Sequence, residues 1–153
     1  MSETSNRSVS RALFILEKLA SSREPLALRD IAEELEIPKS SGLVLLRALE
    51  EHEFVERDAI GRYSVGLRAF EIGMSYIRGM SSVRAASDQL RILTEALNVT
   101  AHFAVLDGDD VVYVAKEDPE DLGVRLASFI GARLPAATTA VGTAQLACLP
   151  PRP

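Results

Sequence analysis

The residues best placed to do chemistry follow the dipeptide Ile37-Pro38, where Lys39, Ser40 and Ser41 put a cation and two hydroxyls in a row. Proline has no backbone N–H and presets φ, so it cannot continue one helix but suits the first position of the next. Lys39, Ser40 and Ser41 then fall on the first turn of a new helix, where amides and short polar side chains meet phosphate oxygens and base edges. Leu43, Val44 and Arg47 come next on that helix. Arg7 and Arg11 near the start of the chain, and Arg57 and Arg62 around a later turn, are further cations able to reach a phosphate backbone. The chemistry these residues offer is the binding of double-stranded DNA.

Catalysis finds no such support. No nucleophile and base pair by spacing, no glycine-rich loop cradles phosphate, and His52 and His102 fall in different domains. Asp107, Asp109 and Asp110 resemble a calcium loop in composition but lack the distal Glu that such a loop needs. The one cysteine, Cys148, allows no internal disulfide and has no Cys/His cluster around it; a buried thiol is expected. No metal or cofactor is expected.

The elements that must position these groups can be read from periodicity. Ile31, Ala32 and Leu35 recur on one helical face, and Leu45, Leu46 and Leu49 do so after the proline. That makes residues 26–49 a helix-turn-helix, with Ala32 small enough for a close helix crossing. Before it, Val9, Ala12, Leu13, Leu16 and Leu19 predict a helix over 8–20 capped by Ser8, and residues 26–28 a short strand. After it, residues 54–57 and 62–65 read as a hairpin whose turn is bracketed by Asp58 and Gly61. Three helices and a hairpin make a winged helix-turn-helix over residues 1–66.

Leu67, Phe70, Met74 and Ile77 form a narrow apolar stripe on a helix over 67–80, a linker expected to pair with its copy in a second chain. Gly79, Ser81 and Ser82 interrupt it. Val83, Ala86, Leu90, Leu93 and Leu97 then predict a helix capped by Ser81 or Ser82, followed by strands over 100–106, 111–116 and 124–130. The first two strands are joined by a hairpin turn at 107–110. Residues 131–135 read as a turn, and Thr138 or Thr139 as the cap of a last helix over 140–148. The fold class is therefore α+β: a winged helix-turn-helix, a linker helix, and a partial α/β domain over 81–153 with an antiparallel sheet. Three strands leave that sheet open, and the chain is expected to be a fragment of a larger design that holds a small ligand poorly by itself.

Composition bounds the partners. The 153 residues carry a net charge of -5. Residues 1–80 hold 11 basic and 13 acidic residues and residues 81–153 hold 6 and 9, so neither half is basic and charge alone argues mildly against nucleic acid. No apolar run is long enough to span a bilayer and the first residues lack the apolar core of a signal peptide, so a cytosolic protein with no membrane partner is expected.

Two sets of segments carry a resemblance. SVSRALFILEKLA and PKSSGLVLLRALEEHEFVERDAIGRYSVGLRAFEIG, then HFAVLDGDDVVYVAK with GARLPAATTAVGTAQLACLPP, together resemble the IclR family of bacterial transcriptional regulators. The resemblance implies operator binding by the winged helix, dimerisation (as a dimer or a dimer of dimers) through the linker helix, and a small organic acid or aromatic effector in the C-terminal domain of a full-length form. It places the effector pocket at Leu126, Leu134, Thr139, Ala140 and Val141. The chain departs from the family pattern at several places: Glu36 stands where Gly is common at the turn, Gly42 where Val or Ala is usual, and Leu43 and Val44 at sites that often carry His and Arg. Ala137 and Thr143 replace His and Lys. If the turn needs positive φ, Glu36 costs roughly 1 kcal/mol, and Gly42 about 0.5–1 kcal/mol of helix stability. The expected function is that of a metabolite-controlled regulator, a repressor of metabolic genes. The alternative is a protein-interaction or dimerisation module with little DNA binding, which the apolar pair Leu43 and Val44 favours.

Overall fold

Ile15, Ile31, Leu46 and Tyr63 keep no more than 1 % of their surface exposed, and the N-terminal part of the chain is built around them. The computed structural model describes residues 3–120 and 128–150, with side chains from Arg7 onward. It divides into two compact units, residues 1–75 and 76–153.

In the first unit α1 (Glu3–Ser21) is followed by β1 (Leu26–Ala27), α2 (Leu28–Glu34), α3 (Lys39–Glu51), β2 (Val55–Arg57) and β3 (Arg62–Val65). The three strands form one antiparallel sheet in the order β1-β3-β2, with Leu26 opposite Tyr63 and Val55 opposite Val65. Ile15 and Leu19 of α1, Ile31 of α2, Leu46 of α3, Val55 and Tyr63 make the core, with Leu16, Leu26, Leu28, Leu35, Leu45, Leu49 and Val65 packed on it. This is a winged helix-turn-helix.

α1 differs from its sequence expectation at both ends of the argument. It begins at Glu3, so Ser8 lies inside the helix and does not cap it. Its buried face is Ile15 and Leu19 with Leu16 beside them, while Val9 and Leu13 stay more than half exposed. The apolar residues of α1 spread over more than one face, and spacing alone cannot say which of them meets the core.

The turn between α2 and α3 is a Schellman motif. The Ile37 N–H donates to the Ala32 carbonyl at 3.0 Å, the Glu36 N–H donates to the Glu33 carbonyl at 3.1 Å, and Glu36 sits at φ +52°. Pro38 is the N-cap of α3 and not its first helical residue. The exit from α3 repeats the motif: Phe54 N–H donates to the Leu49 carbonyl and Glu53 N–H to the Glu50 carbonyl, both at 2.9 Å, with Glu53 at φ +60°. Two glutamates thus stand where glycine is the unstrained choice. Gly42, by contrast, is buried where the helices approach; a Cβ there would lie 3.3 Å from Leu28 Cδ1 and 3.6 Å from the Ala32 Cβ. The site is close-packed, which offsets what glycine costs α3 in helix propensity.

α4 (Leu67–Gly79) spans the division between the units and buries none of its residues. The second unit continues with α5 (Ser81–Leu97), β4 (Ala101–Asp107), β5 (Asp110–Glu117), β6 (Arg133–Pro135), a single 3₁₀ turn at Ala136–Thr138 and α6 (Ala140–Ala147). The sheet is antiparallel in the order β4-β5-β6, with Asp107 opposite Asp110 across the hairpin turn and a register irregularity between Phe103 and Ala104. Ala104, Val111 and Ala136 form its small core, with Leu106, Tyr113, Val141 and Leu146 against them.

Here too the expectations need correcting. Met80 is the N-cap of α5, without a side-chain bond, so neither Ser81 nor Ser82 caps it. α5 buries Val83, Leu90 and Thr94, whereas Leu93 and Leu97 of the expected apolar face are about half exposed or more. The strand expected over 124–130 falls partly outside the described residues, and Ser128–Ile130 is not strand. The third strand is β6, which pairs with β5 through Leu134 and Val111 where the sequence reads as a turn. A three-residue strand next to Pro135 carries too little pattern to be read as one. Cys148 is exposed, not buried.

Each Schellman glutamate leads to a measurable expectation. Glu36→Gly and Glu53→Gly should each stabilise the protein by on the order of 1 kcal/mol, the strain of a left-handed non-glycine residue. Urea denaturation followed by helix circular dichroism measures this, and an unchanged midpoint would show that the turns carry no such strain.

Candidate nucleic-acid interface

The Schellman turn sends α3 off with its buried side set by Gly42 and Leu46, which leaves Lys39, Ser40, Ser41, Val44, Arg47, Ala48, Glu50 and Glu51 facing solvent. Leu43 is partly buried, so of the two apolar residues expected on the reading face only Val44, 66 % exposed, is fully presented. The first intrahelical bond of α3 runs from the Gly42 N–H to the Pro38 carbonyl at 3.1 Å, and no side chain caps the helix start. The amides of Lys39, Ser40 and Ser41 are therefore open to an incoming anion, at the positive end of the helix dipole.

The hairpin is held by Asp58, whose Oδ1 accepts from the N–H of Ile60 at 3.0 Å and of Arg62 at 2.8 Å. This carboxylate fixes the wing and lifts Ile60 into solvent, 78 % exposed. Arg57 lies over the Tyr63 ring, 5.5 Å from its centroid, which orients the guanidinium on the wing. Arg62 Nη1 donates to the Pro25 carbonyl at 3.5 Å.

Charge pairing separates these cations from three others in the unit. Lys18, Arg29 and Arg68 are paired with Glu34, Glu33 and Glu71. Among the described residues Lys39, Arg47, Arg57 and Arg62 lie within ion-pair distance of no carboxylate. These four lie on α3 and the wing, the two elements that a winged helix presents to DNA; Arg7, Arg11 and Arg23, on and just after α1, likewise have no carboxylate within ion-pair distance among the described residues. Arg7 is exposed and Arg11 partly buried; both lie within α1 rather than at its start.

On α4, Leu67 and Phe70 are 69 % and 63 % exposed, while Met74 and Ile77 are partly buried. The sequence stripe missed Ile72 and Tyr76, exposed at 48 % and 60 %.

In the second unit Thr139 caps α6, its Oγ1 accepting from the Gly142 N–H at 3.1 Å. Gly142 is required there, because a Cβ would run into the backbone of Ala136. Val141 lines an open, mostly apolar groove of about 910 Å³ together with Phe103, Leu106, Ala144, Gln145 and Cys148. Leu134, Thr139 and Ala140 do not line it, and Leu126 lies outside the described residues. Sequence reasoning missed Gln145, whose amide reproduces a peptide group on the outer edge of β4: its Oε1 accepts from the Leu106 N–H at 3.1 Å and its Nε2 donates to the Ala104 carbonyl at 3.2 Å. On the same sheet His102 stacks on Tyr113 and shares a 2.8 Å hydrogen bond with Ser128. Burial, and then the positive charge of Lys116, push the imidazole below its ordinary pKa. Asp118 is held below its usual range by hydrogen bonds from Lys116 and Thr100. Among the described residues no group of His, Cys, Asp and Glu is arranged to hold a metal, and no helix is long and apolar enough to cross a membrane.

Known proteins place this geometry. Residues 8–59 match the IclR helix-turn-helix domain and residues 74–152 match the C-terminal domain of bacterial IclR transcriptional regulators. The HTH-type transcriptional repressor AllR of Klebsiella pneumoniae is 30% identical over 145 residues, which cover 94% of this chain and 53% of AllR. The probable transcriptional regulator SauR of Cupriavidus necator is 32% identical over 151 residues, 98% of this chain and 60% of SauR. The crystal structure of an IclR transcriptional regulator from Alicyclobacillus acidocaldarius superposes with a TM-score of 0.76 at 30% identity, covering 94% of this chain and 59% of that one. The chain spans about half the length of the curated relatives it matches. These relatives are regulators and not enzymes, in keeping with a surface whose chemistry is binding. With an IclR helix-turn-helix followed in order by the IclR C-terminal domain, the chain belongs to the IclR family of bacterial transcriptional regulators.

Proposed function

We propose that this protein binds operator DNA through α3 and the wing, as a dimer, and represses metabolic genes under the control of a small organic or aromatic acid. The observation that carries the DNA-binding part is the set of unpaired cations Lys39, Arg47, Arg57 and Arg62 on the recognition helix and hairpin of a family helix-turn-helix. Dimerisation is supported by the exposed stripe of α4, Leu67 and Phe70 with Met74 and Ile77 beside them, and by geometry. Two recognition helices about 34 Å apart read successive major grooves, which a single copy cannot offer. The role as a repressor rests on relatives named for that activity, and effector control rests on membership of the family; Leu134, Thr139, Ala140 and Val141 remain the residues proposed to meet the effector, with Leu126.

A second reading has its own observation. Val44, exposed at the centre of the reading face, also suits a protein contact. The salt dependence of duplex binding separates the two, because phosphate contacts release counterions and an apolar protein contact does not. A regulator should lose affinity steeply with salt. Within that titration Lys39→Ala should weaken binding to all sequences alike and lower the slope of log affinity against log salt by about one; an unchanged slope removes Lys39 from the interface.

The α4 seam has a separate test. Phe70→Asp places a charge in the stripe and should shift the protein from dimer to monomer in sedimentation equilibrium, with a loss of affinity for a two-half-site duplex. A variant with the mass of the parent would move dimerisation away from α4.

A further inference from the structure

The solvent-facing side chains of α3 form a short and unusual vocabulary. Ser40 and Ser41 hydrogen-bond to any base, Arg47 alone has the fork that reads guanine, and Ala48 offers one methyl. Between them, one turn from Ser40 and one from Ala48, stands Val44 with 66 % of its surface exposed, while its neighbour Leu43 is partly buried. No Asn or Gln, the residues that read adenine, lies on this face.

We infer that Val44 selects thymine in the operator through the C5 methyl group, an inference that rests on the DNA-binding reading above. The major groove presents only one apolar group, and it belongs to thymine. A valine pressed against cytosine or guanine strips water from an amino donor or a carbonyl acceptor and returns no hydrogen bond, so the wrong base is penalised as well as the right one favoured. Valine in a helix is held near one χ1 rotamer, so its two methyls are presented with little entropy left to lose. The same argument extends the preference to 5-methylcytosine over cytosine, since that base carries the same methyl at the same place.

The experiment starts from duplexes selected out of a random pool by the intact chain. In the best site, each thymine is replaced in turn by uracil, which removes the methyl and leaves every hydrogen-bonding group in place. One thymine in each half-site should lose about four-fold in affinity on replacement, the weight of a single buried methyl. In Val44→Ala and Val44→Ser that loss should vanish, with thermal stability no lower than the parent's, because the side chain is exposed and valine is a weak helix former. Uracil bound as tightly as thymine at every position would overturn the inference while leaving DNA binding intact. So would a uracil effect of full size in Val44→Ala. A parent chain that selects no duplex at all would overturn both the inference and the reading beneath it.

Discussion

The orientation of α3 depends on one short piece of backbone, residues 35–38. The Ile37 N–H closes back on the Ala32 carbonyl, Glu36 takes a left-handed conformation, and Pro38 forbids the first helix from running on. These constraints force a change of direction within four residues. The buried Ile37 then ties the turn to the core, while Gly42 and Ala32 let the two helices approach closely. Once that crossing is set, the 3.6-residue period of α3 decides the rest. Gly42 and Leu46 face in, and Ser40, Val44, Arg47 and Ala48 face out. The reading face is the remainder left by the packing face.

Overall charge and local charge point in different directions here, and the local arrangement decides. A net charge of -5 opposes approach to a polyanion at long range. At about physiological ionic strength the Debye length is about 8 Å, so acids elsewhere on the chain are screened from phosphates at the interface. The pairing of Lys18, Arg29 and Arg68 with glutamates matters for the same reason: it removes both signs from the field at once. What the proposed interface offers to phosphate is the set of cations left over on α3 and the wing, and a change in net charge at a distant surface should alter it little.

The helix-turn-helix, the hairpin and the linker helix were readable because each has a punctuation residue with a mechanism. Pro38, Asp58 and Gly61 each mark a turn, and the apolar spacing on either side has one period. Glu36 was readable as a departure from glycine, and its φ of +52° shows why the site asks for one. Glu53 was not, since EEHE offers no glycine signal and the motif is defined by backbone bonds alone. β6 escaped for a related reason: three residues ending in Pro135 pair with β5 only because the chain is brought there by tertiary contacts. Cys148 departs from the general preference of free thiols for burial: it is the C-cap residue just past the end of α6 and is exposed. The residues expected to meet an effector carry the least specific signal. Thr139 is set by the capping of α6, so its type is explained by structure before any ligand is invoked.

The start of α3 is weak as a helix. Pro38 supplies no capping side chain, Ser40 and Ser41 are indifferent helix formers, Gly42 is a poor one and Val44 is β-branched. An isolated peptide of this sequence has little reason to be helical, since 13 residues lie near the limit of independent stability even for better sequences. The helix is held from its C-terminal half, by Leu45, Leu46 and Leu49 against the core and by the second Schellman turn at Glu53. Its uncapped first turn is what this arrangement leaves available, with amides that no side chain satisfies and hydroxyls that face solvent. A side-chain cap would stabilise α3 by roughly 1 kcal/mol and would occupy one of those donors. Local stability and anion binding compete for the same N–H groups, and the residues at 38–41 leave those groups to the proposed interface.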